Sequence, residues 1–190
     1  MAEVARWNQV YASEPHLYTR EPNALLAEAT RDLPPGAALD IGMGEGRNAR
    51  YLASLGWKVT GVEESGEGAR LAREQSAGVD VVSSAIEEFD LGRERWDLII
   101  GIYVHGVMLR ESARIIEALR PGGLLVVEGF HRDVMQEGRI VGLTGGKLGY
   151  ASNALLRKFL ALRVLRYEET RGLADWWRID APLVRMVAKK

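Results

Sequence analysis

The residues best suited to ligand chemistry form a glycine-rich turn after a short apolar run. Residues 40–46 read Asp-Ile-Gly-Met-Gly-Glu-Gly, and an amphipathic segment follows them. Glycines in such a turn permit positive φ angles and let a ligand approach the backbone without a Cβ in the way. The amide groups at the start of a following helix would point at the same place. The segment therefore predicts a ligand-binding turn between a strand and a helix.

One feature separates this turn from a dinucleotide-binding one, and a second feature supports its role in binding a ligand. The dinucleotide pattern places a third glycine or alanine at its sixth position, but counting from Gly42 that position is Arg47. Glu63 ends the next apolar run, where a carboxylate can accept hydrogen bonds from two ribose hydroxyls. A solvated surface glutamate is the alternative. Its pairing with the glycine turn favours the ribose role.

The elements that must position these residues alternate between short apolar runs and longer amphipathic segments. This pattern is typical of βαβ units around a parallel sheet. Two strands near the C-terminus lie too close together for a helical crossover and are expected to pair antiparallel. The predicted strands cover residues 37–41, 57–62, 79–83, 96–103, 124–128, 162–168 and 183–188.

Composition limits the functions open to the chain. Its 190 residues fit one domain, and the formal net charge of −1 disfavours a nucleic-acid partner. The absence of cysteine excludes disulfides, thiolate metal sites and a cysteine nucleophile. No signal-peptide core or run of 18 apolar residues is found. We expect a cytoplasmic protein with no membrane partner, a monomer or a homodimer.

Four ordered segments resemble the motifs of class I S-adenosylmethionine-dependent methyltransferases. They comprise the glycine turn, the second strand with its glutamate, the fourth strand, and the Pro-Gly-Gly turn before the fifth strand. The N-terminal segment is also similar to the small bacterial tellurite-resistance and thiopurine methyltransferases. This chain departs from that group in having Met43 for cysteine, Glu63 for aspartate, and Ser84 where aspartate is usual. The four segments are residues 39–48, 59–65, 96–100 and 119–125.

The resemblance implies a three-layer, doubly wound α/β fold. Its seven-stranded sheet would be mostly parallel with an antiparallel C-terminal hairpin. A single methyltransferase domain would span residues 1–190, with an N-terminal helical lid segment at 1–33. The cofactor-binding core would be 36–130, and a substrate-side loop and hairpin would occupy 131–190.

The resemblance also assigns a cofactor, S-adenosylmethionine, with S-adenosylhomocysteine as product. Asp40 would order the turn or bond through water to the cofactor's amino group, and Glu63 would hold the ribose. The remaining expected cofactor contacts are Gly42, Met43 and Gly44 in the turn, Glu64, Ala85 and Ile86 near the adenine, and Ile102 and Tyr103 on the methionine side.

Candidates for acid-base or substrate contact follow the later strands. His105, His131 and Glu128 are each expected over the pocket, and one of them is a candidate general base. The alternative is that His105 packs a loop and His131 is simply exposed. Trp7, Tyr11 and Tyr18 are expected to form an aromatic lid or to pack the N-terminal helix. We expect hairpin packing for Trp176 and Trp177, and no metal site.

These observations favour in-line methyl transfer to a small-molecule acceptor. An NAD(P)-dependent oxidoreductase is disfavoured by Arg47, and a non-catalytic cofactor-binding protein of the same fold is a further alternative. The base-flipping Asn/Asp-Pro-Pro-Tyr/Phe motif is absent after the fourth strand, which also disfavours a nucleic-acid acceptor. The glycine-rich segment 142–147 is expected to be a substrate-side loop.

Overall fold

A computed structural model describes residues 2–13, 19–137 and 149–190. Its helices are α1 (Ala2–Ser13), α2 (Ala24–Thr30), α3 (Arg47–Ser54), α4 (Gly66–Gln75), α5 (His105–Arg110), α6 (Ser112–Ala118) and α7 (Ala154–Lys158), with a 3-10 helix at Arg132–Glu137. Its strands are β1 (Ala37–Ile41), β2 (Lys58–Glu63), β3 (Val79–Ser83), β4 (Trp96–Ile102), β5 (Leu119–Phe130), β6 (Arg163–Ala174) and β7 (Ile179–Lys189).

The strands form one seven-stranded sheet in the order β3-β2-β1-β4-β5-β7-β6. The first five strands in this order are parallel, and β7 pairs antiparallel with both β5 and β6. The predicted fold class is therefore confirmed. The strand order reverses between β1 and β4, and in open α/β sheets ligands bind outside the carboxyl ends of the strands at this point.

Apolar residues cover both faces of the sheet, which is why its strands read as unbroken apolar runs. Leu39 and Ile99 belong to the cluster on one face, and Ala38 and Leu98 belong to the cluster on the other. Successive residues of a strand point to opposite faces, so this division follows directly from the alternation. Helices α2, α3, α4 and α6 pack against the sheet.

The C-terminal hairpin is longer than its sequence pattern predicts. Both strands extend toward each other until only residues 175–178 separate them. Exposed polar residues such as Glu169 and Arg171 hide the strand pattern in this part of β6. Two helices, α5 and α6, lie between β4 and β5. Within the described residues no helix is both long and apolar enough to cross a membrane.

Candidate functional site

A cavity of about 460 Å³ lies at the carboxyl ends of the parallel strands. The turn after β1, the end of β2 and the residues after β4 form its floor, and α1 covers it. The cavity therefore occupies the place where the strand order reverses. Several predicted residues line it: Trp7, Tyr11, Gly42, Met43, Gly44, Glu63, Glu64, Ile86, Ile102, Tyr103 and His105.

The glycine turn is tightly enclosed, and both its backbone angles and the space around it favour glycine at two positions. Gly42 and Gly44 have φ angles of 65° and 56°, which residues with a side chain rarely adopt. A Cβ on Gly42 would lie 2.8 Å from Cγ1 of Val104, and a Cβ on Gly44 would lie 2.6 Å from the hydroxyl of Tyr11. The side chain of Met43 packs against Gly61 of β2 and against Gly46. The backbone of the turn is thus the surface offered to a ligand.

Glu63 joins the glycine turn to the start of α4. Its carboxylate accepts hydrogen bonds from the backbone N–H of Gly44 at 2.8 Å and of Ser65 at 2.9 Å. Burial raises the pKa of Glu63, and these two bonds oppose the shift. A carboxylate has about four lone-pair sites, so each oxygen can still accept a ligand hydroxyl. The geometry fits the predicted contact with ribose hydroxyls.

Asp40 lies under the same turn with one oxygen unused. The side chain is buried, and its Oδ2 has no hydrogen-bond partner in the described part of the chain. Burial raises the pKa of Asp40 to about 8, although the charge of Arg47 opposes the shift. A buried carboxylate oxygen without a donor fits a nearby ammonium group or a bridging water. Asp40 does not itself line the cavity, which agrees with the indirect role.

One residue predicted to contact the adenine, Ala85, is not among the residues that line the cavity. Its carbonyl accepts from the N–H of Glu88 and the hydroxyl of Ser84. Ser84 and Ile86 flank this position and line the cavity instead. The side chain of Ser84 donates to the Ala85 carbonyl, so its hydroxyl oxygen remains able to accept from a ligand.

Four rings form what we term the aromatic wall: Trp7, Tyr11, Tyr103 and Trp176. Ring centroids are 5.9 Å apart for Trp7 and Tyr11, 5.9 Å for Trp7 and Trp176, and 5.4 Å for Tyr103 and Trp176. Trp176 lines the cavity as well as packing on Trp177, so its expected restriction to hairpin packing is wrong. The third predicted lid residue, Tyr18, lies outside the described residues, as does segment 142–147.

Tyr103 has an uncommon backbone conformation at the end of β4. Its φ is 62°, a left-handed value that costs free energy for a residue with an aromatic side chain. Its hydroxyl donates to Oε1 of Glu128 at 2.9 Å, and its N–H donates to the Glu128 carbonyl at 2.7 Å. Burial and the adjacent Glu128 charge raise the pKa of Tyr103. Tyr103 therefore stays a neutral phenol held at the cavity floor.

Glu128 lies behind Tyr103 and does not line the cavity. Its Oε1 accepts from Tyr103 and from Nδ2 of Asn23 at 2.8 Å, and its Oε2 accepts from Nε of Arg185 at 2.7 Å. Only 1% of the residue is exposed. With three donors bound and no access to a substrate proton, Glu128 lacks the geometry of a general base. The predicted catalytic role does not fit this position.

The hydrogen bonds of Glu128 continue into a polar network that the sequence reasoning missed. Asn23 also donates to Oδ2 of Asp175 at 2.8 Å, and the other oxygen of Asp175 accepts from Arg47 at 2.8 Å. The network joins the start of α2, the start of α3 and the hairpin turn that carries Trp176. The one signal in the sequence for part of this network is Asn23, because asparagine is a preferred helix N-cap residue.

His105 is buried and neutral. Its Nε2 accepts the backbone N–H of Phe130 at 2.8 Å, so the proton of the neutral ring is on Nδ1. Burial lowers the pKa of His105 to about 3. A ring whose only lone pair is already bound cannot take a substrate proton. This geometry fits the alternative in which His105 packs the protein interior beside the cavity.

His131 lies outside the cavity. Its Nε2 is 3.0 Å from the hydroxyl of Ser152, and its Nδ1 is 3.2 Å from a carboxylate oxygen of Asp133. Because β5 continues to Phe130, His131 follows the strand beyond the cavity floor. The structure thus brings neither histidine nor Glu128 into the position of a base. The remaining acids on the cavity lining are Glu45, Glu63, Glu64 and Glu87.

Comparison with known proteins finds a similarity to methyltransferases over part of the chain. Residues 38–123 match the family model of a methyltransferase domain. A search of curated proteins finds no significant match. This part of the chain is therefore similar to a methyltransferase domain. The matched range includes the glycine turn, Glu63 and Tyr103.

Several solved structures share the fold at low sequence identity. TehB from Haemophilus influenzae is 20% identical, with a TM-score of 0.70 over 96% of this chain and 67% of its own. A methyltransferase from Mesorhizobium loti is 20% identical, with a TM-score of 0.68 over 88% and 99%. A protein of echinomycin biosynthesis, in which a disulfide becomes a thioacetal, is 21% identical, with a TM-score of 0.71 over 98% and 92%.

Proposed function

We propose that the protein transfers the methyl group of S-adenosylmethionine to a small-molecule acceptor. The observation that carries this proposal is the pairing of Glu63 with the glycine turn at the reversal point of the sheet. Oδ2 of Asp40 beneath the turn, which has no hydrogen-bond partner among the described residues, provides further support. The carboxylate of Glu63 suits ribose hydroxyls, and the acceptor oxygen of Asp40 suits an ammonium group, directly or through a water molecule. Ribose hydroxyls and an ammonium group are both parts of this cofactor.

In-line displacement requires little proton transfer from the protein. When bound, the sulfonium supplies an activated methyl group, and the protein must align the acceptor with it. The aromatic wall offers faces that attract a cation and exclude water. None of the three candidate bases, His105, His131 and Glu128, is placed to take a proton from a substrate. The arrangement therefore favours acceptors that need no deprotonation. Positioning is thus the main contribution that we assign to this chain's residues.

Helix α1 is the proposed lid. Oδ1 of Asn8 accepts from the hydroxyl of Ser65 at 2.7 Å, and Tyr11 lies over Gly44 and Gly68. Trp7 contacts Trp176 across the cavity. Because these contacts cover the glycine turn, we infer that α1 moves when the cofactor enters and then closes over it.

Calorimetric titration with S-adenosylhomocysteine tests the proposal. We expect the unaltered protein to bind it, and Glu63→Ala to bind about tenfold more weakly, which corresponds to about 1.4 kcal/mol. Glu67→Ala is the control, because Glu67 is a carboxylate at the same end of α4 whose side chain pairs with Arg70. Near-UV circular dichroism checks that each variant is folded.

Two results would contradict the proposal. The unaltered protein would fail to bind at millimolar ligand, or Glu63→Ala would bind as tightly as the Glu67→Ala control. The second result would move the ribose contact away from Glu63. Binding without methyl transfer to a broad panel of thiols, halides, chalcogen oxyanions and amines would favour a non-catalytic binding protein.

A further inference from the structure

His105 has one ring nitrogen that no other described residue binds. The residue lines the cavity although only 8% of it is exposed. Its Nε2 is bound to the backbone N–H of Phe130. Its Nδ1 has no hydrogen-bond partner among the described residues, and it is not one of the polar atoms there that are both buried and without a partner. Nδ1 is therefore open to the cavity.

The position of Gly129 shows which way this nitrogen points. A Cβ on Gly129 would lie 2.7 Å from Nε2 and 2.8 Å from Cδ2 of His105, so this edge of the ring lies against β5. Nδ1 is the ring atom opposite that edge and points away from the strand. The rings of Phe130 and Tyr150 hold this orientation, because their centroids are only 6.0 Å and 5.0 Å from that of His105.

The bond to Nε2 also determines where the proton of the ring is. A neutral imidazole has one N–H donor and one lone pair that accepts. Since Nε2 of His105 accepts from Phe130, the proton is on Nδ1. Burial lowers the pKa of His105 to about 3, so the ring stays neutral. His105 thus offers the cavity a fixed N–H donor and no lone pair.

A fixed donor discriminates between ligands by the group that faces it. An unprotonated oxygen, such as that of a carboxylate, accepts from Nδ1–H. An ammonium group has only donors, so it would leave the donor of His105 unpaired. A site that hydrogen-bonds one group rejects an analogue that leaves its buried polar atoms without a partner. The exposed nitrogen of His105 therefore favours oxygen over ammonium.

The charges of the cavity favour an anion over a neutral oxygen. Its described lining residues include five arginines and four glutamates but no lysine or aspartate. The neutral ring of His105 adds no charge to this balance. A bound sulfonium would add one more positive charge, and a positive potential in a half-enclosed cavity attracts an anionic ligand.

We propose that Nδ1–H of His105 binds an anionic oxygen of the methyl acceptor, of the carboxylate type, and so selects such acceptors over amines. This inference rests on the proposed function, which supplies the methyl donor. In the transfer, the bond from sulfur to the methyl carbon breaks as the bond from that carbon to the acceptor forms. Both electrons of the broken bond stay on sulfur, and His105 keeps its proton.

NMR of the protein with ¹⁵N-labelled histidine, saturated with S-adenosylhomocysteine, tests this proposal. We expect a protonated Nδ1 and an unprotonated Nε2 at His105. Sodium acetate should shift the Nδ1–H resonance with saturation, and methylammonium at the same ionic strength should not. His105→Gln identifies the resonance by removing it. The ring of His131, which lies outside the cavity, is the internal control and should respond to neither salt.

A second variant removes the donor and keeps the contact with the strand. Replacing His105 by Nδ1-methylhistidine leaves the Nε2 lone pair for Phe130 but has no N–H on the other nitrogen. We expect the affinity for acetate, followed through the backbone amide resonance of Gly106, to fall about tenfold. Unchanged acetate affinity in this variant would assign the anion to the arginines and overturn the inference.

The remaining outcomes separate this inference from the proposed function. A ring with its proton on Nε2, or an Nδ1–H resonance that acetate does not move, would overturn the inference. Equal shifts with acetate and methylammonium would also overturn it, since the donor would not discriminate. If the protein does not bind S-adenosylhomocysteine, the proposed function is refuted, whereas the proton position and the acetate response can still be measured without that ligand.

Discussion

Replacing Asn23 by alanine tests the buried polar network more directly than any other single change. Asn23 is fully buried, and its side chain makes three hydrogen bonds. Its Oδ1 accepts from the N–H of Leu26 at 3.1 Å, which caps α2. Its Nδ2 donates to Glu128 and to Asp175, both at 2.8 Å. The variant removes the cap and both charge-assisted bonds at once.

The expected loss follows from these contacts. A lost N-cap costs about 1 kcal/mol. Each lost hydrogen bond to a charged group costs about 1.5 kcal/mol at the lower end of its range. The lower end applies because Glu128 keeps Tyr103 and Arg185 as donors and Asp175 keeps Arg47. The sum is about 4 kcal/mol, or a melting temperature roughly 8–16 °C lower for a chain of this size.

Urea unfolding and calorimetric melting of Asn23→Ala and Asn23→Ser provide the assay. Serine is as good an N-cap as asparagine but cannot reach both carboxylates as a double donor. We expect Asn23→Ser to recover about 1 kcal/mol and to remain about 3 kcal/mol below the unaltered protein. A serine variant with the stability of the unaltered protein would refute the reasoning, because the network would then contribute nothing.

Two further predictions concern ionisation. In the folded protein the pKa of Asp40 is raised to about 8, so its contribution to stability is present at low pH and is lost as the pH rises through that value. The free energy of unfolding of Asp40→Asn, measured in urea relative to the unaltered protein, should therefore increase from pH 5 to pH 8. Parallel pH curves for the two proteins would contradict this. His105 should stay neutral from pH 5 to pH 8, so its imidazole C–H resonance should not shift in an NMR titration over that range. A titration midpoint near 6.5 would show instead that the ring is accessible as a base.

The sequence was most informative where function depends on backbone and local spacing. A strand, a turn of alternating glycines and a helix form a continuous segment, so the turn at 42–46 and the contact at Glu63 could be predicted from neighbouring residues. The parallel order of the first five strands follows from the same βαβ alternation. The long hairpin was underestimated because exposed strand residues carry no apolar alternation.

The three candidate bases show where sequence reasoning reached its limit. His105 and His131 lie shortly after strands, Glu128 lies near the end of β5, and each is of a residue type that can accept a proton. Whether a lone pair is free depends on partners distant in the sequence. The backbone N–H of Phe130 donates to the ring of His105. The side chains of Arg185 and Asn23 donate to the carboxylate of Glu128. Only the packed chain brings these partners together.

The sequence by itself therefore determined the class of fold, the glycine turn and the glutamate that faces it, because these are local features of consecutive elements. The tertiary structure decided which titratable groups are already bound and which aromatic rings meet across the cavity. Those properties depend on burial and on pairing between distant segments such as the turn at Asp175 and the start of α3. They cannot be predicted from the spacing of residues along the chain.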